Sequence, residues 1–144
     1  MSAAIPRLEA GPDTVHWGYF SADLAPVLTV DSGARVVMSS VSGAPQHMPP
    51  APFTIPPALP AIHKANEGQR FLAHMCTGPV AVRGAKAGQV LQVDIEAIEP
   101  SLDWGYTLIR PTAGALPDEF PDYRIFHVAI DKARMTGRMP WGQE

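Results

Sequence analysis

Alternation of apolar and polar positions is densest in residues 90–97. There Leu91, Val93, Ile95 and Ala97 fall on one side, and Gln92, Asp94 and Glu96 on the other. Period two over such a run predicts a strand buried on one face and wet on the other. Upstream, Ala81-Val82-Arg83 predicts a short strand. The glycines that bound Gly84-Ala85-Lys86-Ala87-Gly88 predict a tight connection joining the two strands as a hairpin. In this reading Leu91, Val93 and Ile95 are core residues. The change Val93→Asp then buries an unpaired charge and prevents soluble expression.

Other runs alternate in the same way. Residues 34–41 set Val36 and Met38 against Arg35 and Ser39, predicting a strand that forms a hairpin with residues 26–30 about Ser32-Gly33. Residues 102–109 predict a strand with an aromatic start. Residues 123–130 place Phe126, Val128 and Ile130 on one face and His127 on the other, toward solvent. Residues 1–14 read as a loose arm or short edge strand, and residues 135–144 carry no periodicity. The proline-dense run 43–60, GAPQHMPPAPFTIPPALP, predicts a long, stiff, semi-extended loop, because each proline presets φ and removes a ladder donor. Such a loop covers a site or forms a subunit contact. Residues 57–66 have room for one or two helical turns. The fold class predicted is all-β, a β-sandwich or distorted barrel of short strands with long Pro-rich loops.

Composition narrows this picture. The 144 residues are one domain's worth, so a single β-rich domain over 1–144 is expected. The formal charge is -3 and the basic residues are scattered, which argues against a nucleic-acid partner. One cysteine, Cys76, excludes an internal disulfide and fits a reducing compartment. Neither a secretory-type apolar run nor a membrane-length apolar stretch is visible, so a cytoplasmic protein with no membrane partner is expected.

Four residues carry candidate chemistry. His16, within Val15-His16-Trp17-Gly18-Tyr19-Phe20, reads either as a strand-end imidazole satisfied by backbone, or as a metal ligand or proton carrier beside aromatic walls. Asp31, in Asp31-Ser32-Gly33, reads as a turn residue or as a carboxylate ligand or base at a strand end. His74 lies in a small polar loop, His74-Met75-Cys76-Thr77-Gly78-Pro79. Cys76 has no basic neighbour in sequence to make it a thiolate and reads as an inert thiol.

The run TGPVAVRGAKAGQVLQVDI, residues 77–95, resembles the central motif of the acetamidase/formamidase family, which commonly reads TGP-(I/V)-x-V-x-G-A-x-P-G-D-x-L-x-V-x-I. Three further stretches resemble that family in the same order: residues 15–20, residues 26–33, and Asp103-Trp104-Gly105-Tyr106 running on to Arg110-Pro111. The resemblance implies a β-rich hydrolase acting on carbon-nitrogen bonds in short linear amides such as formamide or acetamide. It further implies Asp31 and His74 as catalytic groups and Trp17 and Trp104 as substrate-binding walls. His16 and Asp31 are then ligands of a divalent metal ion such as zinc. Family members continue into a second half with glycine-rich HGGN-like and acidic DGH…GDGE-like segments, and neither segment occurs here. The expectation is therefore an N-terminal portion whose partner is a complementary C-terminal chain or further copies of itself in a homo-oligomer. The rival reading is a non-catalytic β-sandwich that serves as an interaction or structural module.

Overall fold

The computed structural model describes residues 4–68 and 74–144. Residues 71–73, the first three of the stretch leading into His74, lie outside the described residues. Strand outweighs helix, 24% against 8%, so the all-β expectation holds, and no sheet among the described residues closes on itself. The chain divides into two compact units, Met1–Pro45 with Pro56–Gln92, and Gln46–Ile55 with Val93–Glu144.

The first unit is built from three two-stranded ladders and one helix. Strand β1 (Arg7–Leu8) runs parallel to β4 (Val37–Met38), and β2 (Val15–Trp17) runs antiparallel to β5 (Met75–Thr77). Strand β3 (Leu28–Val30) runs parallel to β6 (Val80–Val82). The helix α1 (Ala58–Ala65) buries Leu59, Ile62 and His63, a spacing that places them on one face. Pro60 is tolerated in its first turn because the N–H groups there have no intrahelical acceptor to lose. Against that face pack Ala10, Val15 and Trp17, with Val41, Ala58 and Met75 at the margin.

Two expectations are corrected here. The Asp31-Ser32-Gly33 turn forms, with Ala34 N–H donating to the Asp31 carbonyl at 3.1 Å and Gly33 at φ 81. It does not fold residues 34–41 back as a hairpin: β3 pairs with β6, whereas Val37 and Met38 pair with β1. The second hairpin is also absent. Residues 84–89 make two successive turns, closed by Ala85 N–H to the Val82 carbonyl at 3.1 Å and Gln89 N–H to the Lys86 carbonyl at 3.2 Å. No strand follows, and Leu91, Val93 and Ile95 are 69%, 71% and 74% exposed. The ladder partner assumed for them, β6, pairs with β3 in a two-stranded sheet, and its other edge takes up no strand among the described residues.

The second unit rests on a three-stranded antiparallel sheet, β7 (Trp104–Ile109), β8 (Arg124–Asp131) and β9 (Thr136–Arg138). The register sets Trp104 opposite Ala129, Tyr106 opposite His127 and Ile109 opposite Arg124. Directly opposed residues share a face. One face therefore carries Trp104, Tyr106, Leu108, Ile125 and His127. The other carries Phe126, Val128 and Ile130, where Trp141 meets Phe126 edge to face at 5.4 Å. Gly137 suits that side, because a Cβ there would stand 3.0 Å from Val128 Cγ1 and press the valine to give way. The alternation read over 123–130 is thus realised, although His127 is half-buried and not solvated. Its Nε2–H donates to the His47 carbonyl at 2.9 Å. His47, at the end of a 3-10 turn (Pro45–His47), lays its ring on Tyr106 at 5.0 Å. Trp104, 4% exposed, donates its indole N–H to the Thr54 carbonyl at 2.8 Å. Residues 46–55 of the proline-rich run therefore cover one face of this sheet, within their own unit.

Candidate functional site

The β2–β5 ladder positions two of the expected site residues together. His16 stands opposite Cys76, and Trp17 opposite Met75. The pairing continues one step further, because Gly18 N–H donates to the His74 carbonyl at 3.0 Å. Alternation then sends Val15, Trp17, Met75 and Thr77 to one face, where Val15, Trp17 and Met75 join the core. His16, His74 and Cys76 share the opposite face. His74 is exposed, whereas Cys76 is partly covered.

The His16 ring is fixed by its own loop. Its Nε2 lies 3.1 Å from the Tyr19 carbonyl, and a carbonyl only accepts, so Nε2 carries the proton. The Tyr19 ring closes against it edge-on at 5.8 Å. Nδ1 is buried and has no hydrogen-bond partner among the described residues. In the Nε2–H tautomer, Nδ1 carries an oriented lone pair with no partner among the described residues. An imidazole tied by one nitrogen to a backbone carbonyl has the form of a metal ligand or a general base, although here the second nitrogen is shut off from solvent.

Asp31 is placed differently. It sits one residue beyond β3, as Arg83 sits one residue beyond the parallel β6, and Arg83 N–H donates to the Val30 carbonyl at 2.7 Å. The Arg83 Nε then donates to Asp31 Oδ1 at 2.9 Å, an exposed ion pair that fastens the ends of the two strands. Such pairs contribute roughly 0–1 kcal/mol. The guanidinium occupies the carboxylate's electrostatic field, so Asp31 as it stands is a poor cation ligand. Among the described residues, no group of three His, Cys, Asp or Glu side chains is gathered to hold a metal ion. Of the two expected ligands, only His16 keeps a nitrogen without a hydrogen-bond partner among the described residues, and that nitrogen is buried.

The two tryptophans expected beside the substrate are both buried, Trp17 at 8% and Trp104 at 4%. Trp17 packs in the core of the first unit with the His63 ring at 5.2 Å, and Trp104 is tied to Thr54 within the second. Gly78-Pro79 joins the ladders of the first unit. Gly78 N–H donates to the Thr14 carbonyl at 2.8 Å beside β2, and the Pro79 carbonyl accepts from Val27 N–H at 2.9 Å beside β3. Gly78 holds φ 134, a conformation that disfavours a side chain. Sequence reasoning had no role for Arg83 or for the Tyr19 carbonyl. A basic residue directly after a predicted strand is the signal for the first; the second left none.

Residues 69–139 match the model of the Acetamidase/Formamidase family. The matched stretch runs from the residues before β5 through β9 and includes His74 and Trp104, whereas His16, Trp17 and Asp31 precede it. No curated protein matches this chain. The family resemblance therefore holds over that stretch, and the class of reaction it points to is amide hydrolysis.

Proposed function

We propose that the chain serves hydrolysis of the carbon-nitrogen bond in short linear amides such as formamide or acetamide. Water oxygen adds to the carbonyl carbon, the C–N bond breaks, and ammonia and the carboxylate leave. The observation that carries this reading is the family match over residues 69–139. An amide is a poor electrophile with a poor leaving group, so the reaction needs an activated water and an acid for the nitrogen. His16 is the base for the first need in this proposal, through Nδ1 of its Nε2–H tautomer, a buried nitrogen that has to open to water before it acts. His74, exposed on the same face of the β2–β5 ladder, is the proton carrier in this proposal. A divalent metal such as zinc would polarise the carbonyl oxygen, but these residues do not fit one, because no further ligand gathers beside His16 among the described residues. No step here passes through it, since Asp31 is committed to Arg83.

The test is ammonia release from formamide and acetamide by the purified chain, with metal content determined on the same sample. Turnover is expected, and His16→Gln is expected to lower it by roughly 10²–10⁴-fold, the range for a lost general base. A folded chain that releases no ammonia from either amide, with or without added zinc, overturns the proposal. In that event the interaction-module reading gains ground. The exposed apolar side chains of residues 90–98, Val90 at 95% and Ile98 at 74% among them, favour it independently.

A further inference from the structure

We infer that Gly18 is a positioning residue that holds both histidines of the proposed site, an inference that rests on the amide-hydrolysis reading for its chemical role. Gly18 is the first residue beyond β2 and follows directly on Trp17. Two connections to the site run through it. Its N–H donates to the His74 carbonyl at 3.0 Å, which extends the β2–β5 pairing by one step and fixes the backbone that carries the His74 ring. Its φ of 75 then turns the chain out of the strand, and the Tyr19 carbonyl comes to lie 3.1 Å from His16 Nε2.

The first connection is backbone, and any residue but proline supplies it. The second depends on glycine. An extended chain rises about 3.3 Å per residue, so a strand continued through Gly18 would carry Tyr19 roughly 10 Å along from His16. A positive φ directly after the strand reverses that course, and residues with a side chain rarely take it. The contact so made decides the state of the imidazole. A carbonyl accepts the Nε2 proton, which leaves the lone pair at Nδ1, the buried nitrogen assigned as base. The Tyr19 ring, 5.8 Å from the His16 ring and steeply inclined to it, follows the same turn. With the turn lost, the His16 ring is released from its acceptor and the proton has no fixed nitrogen. The tautomer of one histidine and the seat of the other thus share one residue.

The experiment reads the imidazoles of the whole, nitrogen-15-labelled chain by NMR, without substrate. In the native chain the His16 Nε2 proton is expected as a protected resonance, with Nδ1 unprotonated. Gly18→Ala is expected to speed exchange of that proton with water about fivefold or more, the scale of one lost hydrogen bond, and to shift the ring resonances of both His16 and His74. Gly18→Asn is expected to recover most of the protection, because asparagine takes a positive φ more readily than alanine. Gly33→Ala is the control for backbone strain, since Gly33 holds φ 81 in the same unit and a Cβ there meets nothing within 4 Å. It is expected to leave both histidines as they are. A native His16 protonated at Nδ1, or one whose Nε2 proton exchanges freely, overturns the inference whether or not Gly18→Ala folds. Unchanged exchange in a folded Gly18→Ala, an equal change in Gly33→Ala, or no recovery in Gly18→Asn overturns it as well. Every readout is taken from the imidazoles and none from turnover, so failure here is distinct from failure of the amide-hydrolysis reading.

Discussion

Residues 90–97 and strand β8 carry nearly the same alternation and meet opposite fates. In β8 each neighbour is supplied: β7 pairs with it over six residues on one edge, and β9 over three on the other. Its apolar set, Phe126, Val128 and Ile130, then finds Trp141, Gly137 and Gly105 on the same side. Residues 90–97 form no ladder among the described residues, and Leu91, Val93 and Ile95 are largely exposed. Alternation encodes which side chains would face a core. Whether a core is there depends on backbone partners, and those are chosen by competition along the whole chain. In β8 the competition is won locally, by a meander whose strands follow each other. Upstream, β6 pairs with β3, 52 residues earlier, in a parallel register no hairpin signal announces.

The strongest way to test the well-supported side of this contrast is to remove its anchor. Trp104 opens β7, is 4% exposed and donates to the Thr54 carbonyl at 2.8 Å. Trp104→Ala is expected to cost about 3–5 kcal/mol through lost burial and a residual cavity. Urea unfolding followed by far-UV circular dichroism measures it. A loss below about 1 kcal/mol would mean the sheet does not depend on this anchor.

How much could be read beforehand follows the same line. Strands β7 and β8 and the short helix were legible, because each is specified by its own periodicity and by local turns. The parallel ladders β1–β4 and β3–β6 were not, since each is two or three residues long and joins segments tens of residues apart. At the site, the joint placement of His16 and His74 on one face follows from a register that the sequence does not print. Asp31 was legible as a turn residue and is one, through its carbonyl to Ala34. Its side chain answers to Arg83, which lies 52 positions away. Long-range ion pairs of this kind leave no local signature.

A middle-sized effect is expected from the imidazole that the proline-rich segment lays on Tyr106. His47 is held below its ordinary value of 6.5 by desolvation and by Arg110 and His127. As pH falls through the ordinary imidazole range, the unfolded chain therefore takes up a proton more readily than the folded one. Stability from this group is complete above that range and declines as pH falls through the lowered folded value. Unfolding midpoints of the second unit measured between about pH 7.5 and 5 should fall in the native chain and fall less in His47→Asn. Equal declines in the two would remove His47 as their cause.

The smallest effect is expected where alternation alone argues for the largest. Were residues 90–97 a half-buried strand, Val93→Asp would place a charge in a core and block soluble expression. With Val93 71% exposed, the carboxylate remains hydrated and no desolvation cost arises. The nearest acidic groups in sequence, Asp94 and Glu96, add only screened repulsion between exposed charges. Surface substitutions of this kind stay within about 0.5 kcal/mol. The variant should therefore express as the native chain does and unfold at an indistinguishable urea midpoint. It should also be the more soluble of the two, since it interrupts a contiguous apolar strip that invites pairing with other chains. Loss of several kcal/mol, or insoluble protein, would show that residues 90–97 do find a partner strand in solution. The contrast with β8 would then lie in where that partner comes from, and not in whether it exists.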